Sequence, residues 1–349
     1  TFNEWFNISA RFRTDRDNKK NEIKNYASTL LLLASSSDKG SYLLATEKNI
    51  QDYGDVIANF QKTVSDWGFV VNAGASFKNA SFDYTANSNK LEFGAPLASV
   101  ANKFTLNNLT PEPQYQEGKK MKSQAVFFSA SVDWKRKIFL DVTGRNEWTS
   151  LLANTKNKSF FYPSVGVTWL LNETLKLPEW IDLGKIRGAW SQVGNGLSSY
   201  ISHPLNSISK NGNVNFNTTA PFDELKPERT TSIEFGTEWR FFNSRLEFDF
   251  TYYKTSTKDQ LFNLPAPTGS SYARYYVNAG EIQNKGVEIV LNATPVMTKD
   301  FRWKTGVNFA TNKNEAIKLV DELDRFMFNG GESNNVWSYL EVGGSLVIF

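Results

Sequence analysis

Cysteine is missing from this chain of 349 residues, and His203 is its only histidine. The absence of cysteine excludes disulfide bonds and thiol chemistry, and a lone histidine beside Pro204 supplies neither a metal cluster nor a catalytic triad. Lys and Arg number 39 and Asp and Glu 36, which gives a formal net charge of +3. Because the charges nearly balance, electrostatics give no reason to expect nucleic-acid binding. No metal site, cofactor or enzymatic activity is predicted.

Long apolar stretches are also missing. The chain never approaches the ~20 consecutive apolar residues that a membrane-spanning helix needs. Aromatic residues nevertheless make up 14 % of the chain, with 10 Trp, 13 Tyr and 27 Phe. If a chain of this kind crosses a membrane, it must do so as a β-barrel, because lipid offers exposed backbone groups no hydrogen-bonding partner.

Apolar and polar residues alternate along most of the chain, as in barrel strands of ~10 residues whose side chains face lipid and lumen in turn. In one segment, Ile233, Phe235 and Trp239 alternate with Glu234 and Glu238. The clearest segments lie at 6–13, 126–135, 138–145, 164–171, 232–241, 246–253, 287–293 and 301–309, with weaker ones at 67–77, 81–86 and 185–193. This pattern predicts an all-β fold of about a dozen strands.

The connections between these segments alternate between short and long. Short ones are expected at 78–80, 135–137, 242–245 and 295–300, with 172–182 as a middling member. Long polar ones are expected at 14–66, 87–122, 146–159, 194–226, 254–280 and 312–340. Outer-membrane barrels have short periplasmic turns and long extracellular loops, whereas a soluble sandwich has no reason to put all long loops at one end. Residues 1–349 are therefore predicted to be a single portion of a transmembrane antiparallel β-barrel.

Four tryptophans share the outward parity and lie near short connections: Trp134, Trp169, Trp239 and Trp303. Indole is amphipathic and prefers the level of the lipid headgroups. We therefore predict that these residues form a membrane girdle at the periplasmic side. The alternative is that they are core tryptophans of a large soluble β-protein.

Charged residues of the opposite parity are predicted to face the lumen: Arg145, Arg187, Glu234, Glu238, Arg240, Glu247 and Asp249. They would line water or hold a plug through ion pairs. Candidate substrate contacts are the loop aromatics Trp148, Tyr200, Phe216, Tyr275 and Tyr276. Aromatic rings stack on the faces of sugars and peptides, which favours that role. For each of them, a place in the outer girdle or in loop packing is an equally good alternative.

Five stretches form a specific set, although any one alone would be a weak match. They are LDVTGRNEW at 140–148, FYPSVG at 161–166, KIRGAWSQVGN at 185–195, LKPERTTSIEFG at 225–236 and NAGEIQNKGVE at 278–288. In order and spacing they resemble the barrel of the SusC/RagA family of TonB-dependent outer-membrane transporters. The strands on either side fit the same barrel, so the resemblance extends to nearly the whole chain.

The resemblance implies part of a 22-stranded barrel in the bacterial outer membrane. The N-terminal plug and the TonB box of that family are absent from this sequence, so a barrel fragment is expected. The implied function is active import of oligosaccharides or peptides, with a SusD-like surface lipoprotein as lid and energy from TonB acting through the missing N-terminal region. Two such pairs could form a dimer. Alternatives are a passive porin or adhesive barrel, and a secreted carbohydrate-binding β-sandwich.

Overall fold

One antiparallel sheet dominates the computed structural model, which describes residues 3–30, 38–88, 94–110, 115–194, 198–208, 212–320, 325–327 and 339–345. Eleven long strands pair in chain order, with a short strand, Ala95–Pro96, beside the second. The long strands are β1 (Phe6–Asn25), β2 (Ser41–Val64), β3 (Trp67–Ala86), β4 (Tyr115–Trp134), β5 (Ile138–Thr149), β6 (Ser159–Leu170), β7 (Ile181–Gly194), β8 (Arg229–Phe241), β9 (Leu246–Pro265), β10 (Arg274–Met297) and β11 (Arg302–Lys318).

The first connections differ from the prediction. The segment 14–66 is not a loop, since β1 continues to Asn25 and β2 fills most of the remainder. The predicted turn at 78–80 lies inside β3, and the tight turn of this region is Ser65–Asp66. Beyond the alternating segments both faces of the hairpin carry polar residues, so the period of two disappears while the backbone ladder continues.

Strands also extend into three other expected loops. In the predicted loop 254–280, β9 runs to Pro265 and β10 begins at Arg274, which leaves only 266–273 as a connection. In the predicted loop 87–122, β4 already begins at Tyr115. In the predicted loop 312–340, β11 continues to Lys318, and 321–324 and 328–338 lie outside the described residues.

The two ends of the sheet have different connections. At the short-turn end lie 65–66, 135–137, 171–180, 242–245 and 298–301, the third of which contains a one-turn helix, Leu171–Thr174. Several residues in these turns have positive φ, among them Ser65, Lys135 and Arg136. The long-loop end carries 150–158, 266–273 and the described parts of 26–40, 87–114 and 195–228. The longest connections therefore lie at one end, as expected, but the alternation is not strict, because 171–180 is longer than 150–158 and 266–273.

The register divides the sheet into two faces. Residues paired across antiparallel strands point to the same side, and Ile138 pairs with both Trp134 and Trp169, which in turn pairs with Ile186. The row continues through Thr237, Phe250, Ile289 and Phe309. We call this side the apolar face and the side that carries Arg187 the polar face. Many large side chains of the apolar face are exposed, including Val165, Val167 and Phe128.

Buried apolar side chains concentrate at the long-loop end, in three clusters of the described residues. Cluster A contains Leu43, Ala45 and Ala86; cluster B contains Leu152, Ile201 and Leu225; cluster C contains Phe262, Leu264, Ala316, Leu319 and Leu340. Leu43, Leu152, Leu225 and Leu319 are fully buried. Within the described residues, no helix has the length and apolar character needed to cross a membrane.

Candidate functional site

The polar face carries all seven charged residues that were predicted to share one side. Arg187 lies between Thr168 and Gly236 in the register, and Glu238 lies opposite Asp249. Arg240 pairs with Glu247, while Glu234 and Arg145 lie at other rows of the same face. The sheet therefore gathers on one side charges that are up to 104 residues apart in sequence.

Arg187 is the centre of this charged surface. Its two terminal nitrogens donate to the two carboxylate oxygens of Asp249 at 3.1 Å each, and Nη2 also donates to Oγ1 of Thr251 at 2.6 Å. A carboxylate oxygen of Glu234 lies 3.6 Å from Nε. The stem of Arg187 crosses the strand next to it over Gly236, where an added Cβ would lie 2.5 Å from Nε. Glycine at this position allows one arginine on β7 to reach an aspartate on β9.

The neighbouring charges form a second group on the same face. Nζ of Lys185 donates to Glu238 at 2.8 Å, and the other oxygen of Glu238 accepts from Arg240 at 2.9 Å. Glu247 accepts a hydrogen bond from Asn292 at 3.4 Å. These pairs are partly exposed, so each contributes about 0–1 kcal/mol to stability. Their main consequence is a fixed pattern of charge on a hydrated surface.

Arg145 stands apart from that group. It pairs with Glu147 at 3.0 Å, two residues along the same strand, and its guanidinium lies 5.9 Å from the ring centre of Phe127. Phe127 interrupts the apolar–polar alternation of β4, and its ring supports an arginine on the polar face. An aromatic residue on the polar side of a strand is the sequence signal for such a contact.

The four predicted girdle tryptophans all lie on the apolar face at the short-turn end. Trp134 ends β4 and lies 5.3 Å from Nζ of Lys135, and Trp169 donates from Nε1 to Oγ1 of Thr174 at 2.8 Å. Trp239 stacks on Phe241 with a ring-centre distance of 6.1 Å, and Trp303 is exposed near the start of β11. Sequence reasoning missed two neighbours, Trp67 and Trp180.

Both missed tryptophans extend the same row of aromatics. Trp67 lies opposite Trp134 in the register, and Trp180 stacks on Phe241 and Phe242 with ring centres 5.7 Å apart. Trp180 was overlooked because it belongs to a connection, where strand parity cannot be read. The position of Trp180 immediately before β7, at the short-turn end, is the feature of the sequence that could have assigned it to this row.

The five candidate substrate contacts fall into three different environments. Trp148 lies opposite Gln124 on the apolar face, so it points away from the charged side. Tyr276 packs against cluster B and Tyr275 against cluster C, where both are partly buried. Tyr200 and Phe216 remain exposed in the connection 195–228, and Phe216 is 78 % exposed. The structure does not bring the five rings together into one site.

Loops at the long-loop end are tied to one another by polar contacts as well as by cluster B. Nζ of Lys156 lies 2.9 Å from Glu224 and 3.5 Å from Asp223, across the connections 150–158 and 195–228. The hydrogen bond to Glu224 and the charge of Asp223 raise the pKa of Lys156. Asn278 donates to the carbonyl oxygen of Lys226 and accepts from its backbone N–H, at 2.9 and 2.8 Å. These contacts join the described parts of the connections 150–158 and 195–228 to each other and to β10.

The family model described as TonB dependent receptor-like, beta-barrel matches residues 2–345. The chain belongs to the TonB-dependent receptor β-barrel family. Among curated relatives, it is 29 % identical to TonB-dependent receptor P3 of Formosa agariphila over 70 % of this chain. It is 30 % identical to TonB-dependent receptor SusC of Bacteroides thetaiotaomicron over 48 % of this chain. The chain spans 26 % of the length of receptor P3 and 18 % of that of SusC.

Solved structures of the family have the same fold. The RagAB peptide importer in its open-open state superposes with a TM-score of 0.80 at 19 % identity, over 98 % of this chain and 37 % of that one. The outer-membrane transporter YddB of Escherichia coli superposes with a TM-score of 0.62 at 12 % identity, over 90 % of this chain and 41 % of that one. Together with the family model and the SusC relative, this fold confirms the predicted resemblance to the SusC/RagA family.

Membership in this family identifies the surroundings of the sheet. The chain is a portion of a transmembrane β-barrel of the outer membrane, and the sheet of the described residues has edges at β1 and β11. The alternative of a carbohydrate-binding β-sandwich is wrong, because the long strands form one continuous sheet rather than two facing ones. In an outer-membrane barrel the apolar face meets lipid and the polar face meets the lumen.

Proposed function

We propose that this chain is part of the wall of a TonB-dependent importer that takes up oligosaccharides or peptides with a SusD-like lipoprotein. The observation that carries the proposal is the family match over residues 2–345, with SusC among the relatives. RagAB, which has the same fold, is a peptide importer. Import breaks no bond in the substrate, so the chain's own task is to provide a passage and a binding surface.

The polar face suits that task. Arg187, Asp249, Lys185 and Glu238 hold one another in place, so a hydrated passage keeps a constant charge pattern while material moves along it. In a complete barrel of this family a plug fills the lumen, and the same ion pairs would offer it both signs of charge. TonB would act on the plug, outside this chain.

The long-loop end is the proposed place of ligand capture. Cluster B and the contacts of Lys156 fix the loops, and Tyr200 and Phe216 remain exposed there. Exposed rings on ordered loops lose little conformational freedom on binding a sugar or peptide face. We keep these two residues as proposed ligand contacts, and a lid lipoprotein would close over the same loops.

The test is uptake by cells that carry the full-length protein as their only candidate importer. Fluorescently labelled oligosaccharides and peptides are supplied separately, with and without an uncoupler that collapses the proton gradient. We expect uptake of one class only, and its loss with the uncoupler or on deletion of the partner lipoprotein. Uptake that continues unchanged with the uncoupler would contradict active import and favour the alternative of a passive porin.

A further inference from the structure

A groove of about 580 Å³ lies at the β1–β5 side of the sheet. Its apolar-face lining includes Ala10, Phe12, Gly54, Val56, Phe77 and Trp148. The bottom of the groove is formed by the small side chains of Ala10 and Ala75 and by the ring of Phe77. That ring lies over Gly54, where an added Cβ would collide with it. Phe12, Val56, Val126 and Trp148 stand around it, all largely exposed. The apolar face contacts lipid in an outer-membrane barrel. A lipid acyl chain is therefore the molecule expected to occupy the groove.

The groove has a definite height in the membrane. Phe12, Gly54, Phe77, Gln124 and Trp148 form one row across the strands. The row that contains Trp67, Trp134 and Ile138 lies ten residues nearer the short turns on these strands. Ten residues span roughly 33 Å along a strand, or about 25 Å along the membrane normal at a tilt near 40°, which matches the apolar band of such barrels. The groove therefore lies at the interface of the leaflet on the long-loop side.

Lysine and arginine residues of the same face occupy the register rows immediately beyond the groove, toward the long-loop end. Lys122 is one row further, Arg16 and Lys120 two rows, Lys48 three and Lys20 four. All five side chains are exposed. Asp52 and Asp83 are the carboxylates of these rows, so the cations outnumber the anions by five to two.

Ion pairing differs between these five cations and most of those on the other face. Arg11, Arg13, Lys19 and Lys119 on the polar face each form an ion pair with a carboxylate, whereas Lys78 on that face is in no ion pair of the described residues. Within the part of the chain that the structure describes, none of the five apolar-face cations forms an ion pair. The five cations are therefore not held in ion pairs, although Lys48 lies opposite Asp83 in the register.

We propose that this surface binds a phosphate-bearing lipid of the outer leaflet. One acyl chain would lie in the groove against Ala10, Ala75 and the ring of Phe77, with Trp148 at the level of the headgroup. The phosphate would lie among Lys122, Arg16 and Lys120, where charge-assisted hydrogen bonds form at the membrane surface. This assigns Trp148 to the lipid and not to the imported substrate. The proposal rests on the membrane setting of the barrel and not on what the protein imports.

The experiment uses full-length protein, extracted in mild detergent, delipidated and examined by native mass spectrometry. The probes are lipid A, which carries phosphate and acyl chains, phosphatidylcholine, which has no net charge, and inorganic phosphate alone. We expect lipid A to bind more tightly than phosphatidylcholine, and inorganic phosphate to show no retained adduct. Equal retention of lipid A and phosphatidylcholine would overturn the proposal, as would retention of phosphate without acyl chains.

Variants locate the binding on this surface. The triple variant Arg16→Gln, Lys120→Gln, Lys122→Gln should weaken lipid A binding by roughly tenfold or more, because each removes a cation near an anionic headgroup. Ala75→Trp should weaken it by filling the groove. The control is Lys254→Gln with Lys285→Gln, which removes two cations of the same face that lie opposite each other in the register of β9 and β10. Heat-modifiable migration verifies that each variant folds, and loss of binding in the control to the same extent as in the triple variant refutes the site.

Discussion

The two ends of this sheet are built on different principles. At the short-turn end, most strands are joined by tight turns with positive-φ residues, and exposed tryptophans such as Trp67 and Trp303 lie on the apolar face. At the long-loop end, clusters A, B and C bury leucines completely, as a soluble protein does. The same strands pass from one setting to the other.

The contrast follows from the solvent at each level. In lipid an apolar side chain gains nothing by hiding from its surroundings, so the strands there are held mainly by their backbone ladder. Outside the membrane, water drives apolar side chains of different loops together. We therefore expect loss of an apolar side chain to destabilise the loops outside the membrane, and gain of a charge to destabilise the lipid-facing strands. Four variants test these differences between regions, in order of decreasing effect.

Leu225→Ala should have the largest effect. Leu225 is fully buried in cluster B, and removal of such a side chain costs about 2–5 kcal/mol. Hydrogen exchange should rise in the connections 150–158 and 198–208, which cluster B joins. Leu205→Ala is the control, since Leu205 is 60 % exposed in the same loop region. Equal exchange in both variants would show that cluster B does not hold the loops.

Val165→Lys compares the two faces within the membrane level. Val165 points to the apolar face, and a lysine near the middle of the bilayer costs about 2–4 kcal/mol in a barrel. Ser164→Lys is the matched control, because Ser164 is on the polar face beside Thr143. Refolding into lipid vesicles across a urea series measures the difference. A cost for Ser164→Lys as large as for Val165→Lys would mean that the faces are wrongly assigned.

Arg187→Gln tests the charged surface of the polar face. The side chains of Arg187 and Asp249 are about one-third exposed, so solvent screening limits the coupling of the pair to on the order of 1 kcal/mol. A double-mutant cycle with Asp249→Asn in the same urea series isolates it. Arg13→Gln with Asp15→Asn, a more exposed pair, should give a smaller coupling. If the two coupling energies are equal, the ion pair between Arg187 and Asp249 is no stronger than the more exposed pair.

Phe216→Ala should leave stability within about 0.5 kcal/mol of the original, since exposed side chains rarely contribute more. Its effect should appear instead in ligand affinity, measured with whichever oligosaccharide or peptide is taken up. Ile208→Ala, at a similarly exposed apolar position of the same connection, controls for loss of surface area alone. Unchanged affinity in Phe216→Ala would remove this residue from the proposed ligand contacts.

Prediction from the sequence succeeded where one physical rule acts on each strand separately. Trp239 and Glu238 were assigned to opposite faces because neighbouring side chains of a strand must alternate, and the register agrees. It failed between residues 14 and 66, where β1 and β2 project beyond the alternating segments and polar residues occupy both faces. It failed again at 254–280, where β9 and β10 extend as a long hairpin.

The candidate site residues also separate into those that strand parity predicts and those that depend on contacts between distant segments. Parity placed Arg187, Glu234 and Asp249 on one face, but only the pairing of β7, β8 and β9 shows that Arg187 reaches Asp249 across Gly236. Tyr275 and Tyr276 looked like exposed loop aromatics, yet they pack on two different clusters. Loop packing depends on which distant segments meet, and a local pattern carries no information about that.

The sequence by itself determined the class of fold and the two faces of the sheet, because both follow from the side-chain period of a strand and its solvent. Its five motifs also indicated the family. Only the tertiary structure decided which charges pair, which loop aromatics are packed and that Trp148 lies beside an apolar groove under five unpaired cations. Those features arise between strands and between loops, where register and contact fix the neighbours.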